Sequence, residues 1–170
     1  MISLFAALAM ALEMIPGIPM PGAPFLKFDA AEAPVYIITL LLGVLDGSLT
    51  MLGVAIAILA FKGDPLGMMY KIVALFSQLL LLRLLRDKPL SRLTSSLGRS
   101  VIMTLFDRIT IPILYMAYVP TALLAIIFIF NLIEGVINAL LALYVLDVIE
   151  KSEILCTLGL KDCPQDMEEE

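Results

Sequence analysis

The sequence predicts an all-α membrane protein, a compact bundle of about six transmembrane helices in one domain. Three observations lead there. Apolar residues make up 61% of the 170 positions and the mean hydropathy is +1.03, more apolar surface than a water-facing fold of this length can hide. Charged residues make up 16%, against roughly 25% in soluble domains, and they collect in a few short stretches. The apolar runs between them fit about six spans at roughly 17 or more residues each. They lack the period-two alternation of a closed barrel, the other structure able to satisfy its backbone in lipid.

Helix one is expected from Met1 to Ile15, short for a span. It is not a cleavable signal, because no basic residues precede the apolar run and Glu13 ends it. The segment Pro16 to Pro34 carries Pro16, Pro19, Pro21 and Pro24 and cannot continue a helix. It also carries Ile18, Met20, Phe25, Leu26 and Phe28, so it is expected to fold back onto the protein.

Val35 to Phe61 is too long for one simple span, and Gly43, Asp46, Gly47 and Ser48 mark a turn within it. Two short helices, Pro34 to Leu45 and Ser48 to Phe61, follow from that turn. The alternative is one tilted span with Asp46 inside, at a cost of about 2.5–3.5 kcal/mol for the aspartate. Lys62 to Gly67 reads as a polar turn, Met68 to Leu85 as a span, Arg86 to Ser100 as a polar loop and Val101 to Tyr118 as a span. Pro120 opens a last helix that runs to about Ile149. Residues 1–150 thus form the transmembrane domain, and 151–170 an acidic cytoplasmic tail that stays solvated.

Arg83, Arg86, Lys88, Arg92 and Arg99 gather around one loop. Positive charge marks the cytoplasmic side. Both termini are then cytoplasmic, in the cell membrane, and the proline-rich segment and the Lys62 to Gly67 turn lie outside.

Ionisable residues within the spans are the candidate site. They are Glu13, Lys71, Asp107, Arg108 and Glu134. Glu13 and Lys71 lie near outer helix ends, within reach of the headgroups. Asp107 and Arg108 point about 100° apart, and Asn131 and Glu134 share one face. Two uses remain open. The charges can clasp the bundle, pairing Arg108 with Glu134 or Asp107 with Lys71. Alternatively Asn131, Glu134, Asp107 and Lys71 line a polar cavity open to the outside, closed over by the segment holding Phe25, Lys27, Phe28 and Asp29. The second use predicts that Glu134→Ala weakens ligand binding far more than folding.

No catalytic residue or metal site is expected. There is no histidine, no nucleophile–base pair, no phosphate-binding loop and no nucleic-acid partner. The two cysteines, Cys156 and Cys163, fall in the tail and read as free thiols. Ala7 and Ala11 are spaced as small-xxx-small, which lets another helix approach closely.

The run PFLKFDAAEAP, from Pro24 to Pro34, followed by a short apolar helix with Gly43 and Gly47, resembles the substrate-binding membrane subunits (S components) of energy-coupling-factor (ECF) vitamin transporters. The riboflavin branch is the nearest match, through Phe25, Leu26, Lys27, Phe28, Asp29, Glu32 and Pro34. Val101 to Met116 looks like its fifth helix, and Phe130 to Leu141 like the start of its sixth. The resemblance implies six helices and a vitamin cavity near the outer face, with Phe25, Leu26 and Phe28 as its cap. It implies a transmembrane coupling subunit, met by the alanines of helix one, and two ATPase subunits. It implies riboflavin or a related vitamin as cargo and no resident cofactor. Two positions depart from it. Glu134 stands where the branch has a lysine, one turn after the retained Asn131, and Asp107 where an asparagine is usual. A lysine only donates and an ionised glutamate only accepts, so these positions point toward a more basic or differently hydrogen-bonding cargo than riboflavin, with Arg108 as a structural counter-ion.

Overall fold

The structure, a computed structural model, describes residues 1–21, 23–85, 91–116 and 118–151. Among these, six α-helices and one hairpin follow in chain order as α1 (Ile2–Met14), β1 (Ile18–Met20), β2 (Ala23–Phe28), α2 (Ala33–Leu41), α3 (Val44–Ala57), α4 (Pro65–Leu84), α5 (Ser91–Tyr115) and α6 (Thr121–Lys151). The end of α3 widens to π geometry over Ile58–Lys62. Three helices are long and apolar enough to cross a membrane, over Val44–Lys62, Pro65–Leu84 and Thr121–Ile149. The tail with Cys156 and Cys163, the basic residues Arg86 and Lys88, and the side chain of Phe25 lie outside the described residues.

The proline-rich segment folds back onto the bundle as expected, but as a two-stranded antiparallel hairpin that pairs Ile18 with Phe28 and Pro19 with Lys27. A two-stranded ribbon has only edges, where proline's missing N–H is tolerated. Its β2 strand packs on α6.

Two short helices do replace one long span after Pro34. The break falls at Gly43, three residues earlier than Asp46, because Gly43 has φ 125°, a conformation nearly closed to other residues. Asp46 sits in the first turn of α3, where a carboxylate complements the helix dipole. Helix α2 has nine residues, a rise of about 13 Å, so it cannot cross a bilayer core of about 30 Å alone. It is surrounded instead. Ala33 to Thr39 are all buried, and α2 touches α1, α3, α4 and α6. The apolar core lies around it, with Val35, Tyr36, Val54, Leu75, Leu79 and Ala142 at its centre.

Of the polar stretch Arg86 to Ser100, expected as a loop, residues 86–90 lie outside the described residues and the remainder is helical. From Ser91 onward it is the start of α5. Serines do mark turns in many sequences, but here they are the inner face of a helix. Ser91, Ser95, Arg99, Met103 and Asp107, at every fourth position, are all buried. Leu93, Leu97, Val101, Leu105, Ile109 and Ile113, at the same spacing, are all exposed. A soluble helix shows the reverse, and this polarity suits a bundle whose solvent is lipid. Arg99 therefore leaves the set of cytoplasmic basic residues, since it is 1% exposed and inside the bundle.

Candidate functional site

The inner faces of α2, α4, α5 and α6 bring one polar cluster together beneath the hairpin. Its centre is Arg99. Its guanidinium grips both oxygens of Glu32, Nη1 donating to Oε2 and Nη2 to Oε1, the latter at 3.0 Å. Nη2 also donates to Glu134 Oε2 at 2.8 Å, and Nε to Asn131 Oδ1 at 3.3 Å. A planar fork facing two carboxylates is the arrangement in which arginine bonds most strongly. The Tyr36 hydroxyl lies 2.8 Å from Glu32 Oε2 and from Gln78 Oε1, and donates its one proton to one of them. Gln78 Nε2 reaches Ser96 Oγ at 3.1 Å and the Gly135 carbonyl at 2.9 Å. Gly135 permits this approach, since a Cβ there would stand 2.7 Å from Gln78 Oε1.

A second set of charges lies nearer the hairpin. Lys71 Nζ sits 2.9 Å from Asp29 Oδ2, 3.1 Å from Glu32 Oε1, 3.8 Å from Glu13 Oε2 and 3.9 Å from Glu134 Oε1. Asp29 also binds the Ala31 N–H at 3.0 Å, and its carbonyl accepts from Asn138 Nδ2 at 3.0 Å. The root of the hairpin is thereby tied to α4 and α6. Lys62, in the π turn, pairs with Glu13 of α1.

Beside this cluster is a cavity of about 650 Å³, within the range of about 300–1,000 Å³ that suits small-molecule sites. Polar side chains of the cluster, among them Lys71, Arg99, Asn131 and Glu134, form one part of its wall. Met103, Ile111, Leu123, Ile127 and Phe130 form an apolar part. Leu26 and Lys27 of the hairpin also face it, and the Phe28 ring packs on Phe130 with centroids 4.7 Å apart.

No protein-family model matches the sequence, and no curated protein matches it. A solved structure, that of the S component of a bacterial ECF transporter, is similar over 88% of this chain and 93% of its own, with a TM-score of 0.79 and 21% identity. The two chains share a fold.

Within this shared fold, the structure brings most of the sequence-chosen residues to one place. Asn131, Glu134, Asp107, Lys71, Leu26, Lys27 and Asp29 all line the cavity. Phe28 reaches it through Phe130. Three expectations change. Glu134 does not pair with Arg108, which is exposed; its partner is Arg99. Lys71 does not pair with Asp107 but with Asp29 and Glu32. Glu13 and Lys71 do not reach out to headgroups: Glu13 is 5% exposed, and both face the cavity. Ala7 and Ala11 are exposed on α1, while Ala9 is buried against the bundle.

Sequence reasoning missed Tyr36, Gln78 and Arg99 as site residues. It named Glu32 only within the resemblance. The signal for Arg99 was the four-residue spacing of Ser91, Ser95 and Arg99, a helical period inside a stretch whose composition looked like a loop.

Proposed function

We propose that this chain is the substrate-binding membrane subunit of an ECF-type importer. In this reading it captures a small water-soluble vitamin or related metabolite from outside the cell. It carries the cargo across the cell membrane with a transmembrane coupling subunit and two ATPase subunits. Its work is capture and translocation, with no chemical conversion of the cargo.

The observation that carries the reading is the closed polar cluster set beside a cavity of about 650 Å³ in a fold shared with an S component. Buried ionisable groups are costly in lipid and collect along substrate paths. The hairpin over the cavity suits a lid, and its tie through Asp29 to Lys71 suits a latch. The exposed Ala7 and Ala11 suit a close helix contact with the coupling subunit. Both termini then lie in the cytoplasm, and the hairpin outside. Riboflavin is the reference cargo, from the sequence resemblance. Glu134 and Asp107 favour a second reading, an S component for a different vitamin or precursor.

The test is protein purified gently in detergent from its own host, followed by a visible absorbance spectrum and mass spectrometry of any small molecule that comes with it. A flavin supports riboflavin uptake. A different small metabolite supports uptake of that compound. An empty protein that binds no vitamin overturns the reading in favour of a structural membrane subunit.

A further inference from the structure

The charges around the cavity are not evenly matched. Lys62 is committed to Glu13, Lys71 to Asp29 and Glu32, and Arg99 to Glu32 and Glu134. These three cations face four carboxylates, and Asp107 makes a fifth. Asp107 is 6% exposed, lines the cavity, and has neither a hydrogen bond nor an ion pair among the described residues. Glu13 also lines the cavity, and its Oε2 is buried without a hydrogen bond. That oxygen still has Lys71 Nζ at 3.8 Å, so Asp107 is the carboxylate left without a charged partner among the described residues. Asp64, another acid in the wall, is occupied in capping α4 through the Gly67 N–H at 2.8 Å. Lys27, the remaining cation in the wall, is exposed, where water and salt screen it.

A buried carboxylate with no partner is costly until something supplies the missing charge or donor. Tyr70 and Phe130 line the same cavity, and aromatic side chains are favourable neighbours for a cation. An anionic cargo would find each interior cation already bound to carboxylates and would meet the uncompensated charge of Asp107.

We infer that the cavity takes an organic cation, a small molecule whose positively charged nitrogen group sits at the Asp107 carboxylate. This rests on the importer reading and narrows its cargo by charge.

The experiment uses the full chain in detergent, titrated calorimetrically with three water-soluble vitamins that differ in charge: thiamine as the cation, riboflavin as the neutral compound and biotin as the anion. Thiamine is expected to bind at least about tenfold more tightly than the other two, a difference set by one charge-assisted contact. Asp107→Asn, of the same shape, is expected to weaken thiamine at least about tenfold, and Asp107→Glu, which keeps the charge, to retain more of the binding than Asp107→Asn. Tighter binding of riboflavin or biotin, or equal thiamine binding by the wild type and Asp107→Asn, overturns the cation inference and leaves the importer reading standing. Binding of none of the three, with a neutral or anionic metabolite carried through purification from the host, overturns the cation inference alone, and with no small molecule carried through it overturns both.

Discussion

Arg99 and Asp107 stand on the same face of α5, eight residues apart in sequence, and their surroundings are opposite. Arg99 has every donor direction filled, by Glu32, Glu134, Asn131, Tyr36 and Gln78. Asp107, about 12 Å further along the helix, has no partner among the described residues and opens onto the cavity. Two charges in one stripe therefore have different work. Where helices converge, a buried charge is held by oppositely charged neighbours and holds them in turn. Where they part around a cavity, the charge is left for something that enters from outside. In the proposed reading the clasp falls to Arg99 and the cargo contact to Asp107.

The comparison breaks or sharpens under substitution. Arg99→Ala is expected to have the largest effect on stability, about 3–5 kcal/mol, because it leaves the buried Glu32 and Glu134 with Lys71 alone to share. Thermal unfolding in detergent measures it, and a near-wild-type melting temperature would show that the cluster is no clasp. Glu134→Ala comes next, about 1–3 kcal/mol, since Arg99 keeps its fork on Glu32. Its folding loss should now accompany any loss of binding, in contrast to the expectation from sequence that binding alone suffers. Asp107→Asn is expected to cost the least, with stability equal to the wild type or higher, because no contact is broken and an unpaired buried charge is removed. A drop as large as that of Arg99→Ala would remove the distinction between the two ends of α5. The size order of the three, read in one set of melting curves, tests the whole comparison.

The same contrast explains what was legible. Helix positions in the apolar runs were readable because lipid requires long apolar segments with internally satisfied backbones. Lys71, Asp107, Asn131 and Glu134 were readable because polar groups in such segments are rare. Arg99 was not readable by that criterion. It sits in a serine-rich stretch with Arg92 nearby, and local composition does not distinguish a hydrated loop from a helix whose polar face is turned inward. The hairpin was legible as an apolar, proline-broken segment that must pack, but not as strands, since its pairing of Ile18 with Phe28 is a matter of register across a turn.

The sequence by itself determined that the chain belongs in a membrane, that a proline-broken segment separates its first two helices, and that a few polar side chains lie inside the apolar runs. These are consequences of hydropathy and of residues such as Pro16 that constrain the backbone locally. The tertiary structure alone decided the partners. Glu134 meets Arg99 across α5 and α6, Lys71 meets Asp29 and Glu32 across α4, the hairpin and α2, and Asp107 has no hydrogen bond or ion pair among the described residues. Electrostatic pairing depends on distances of a few ångströms between side chains far apart in the chain, and only the packing of helix on helix sets them.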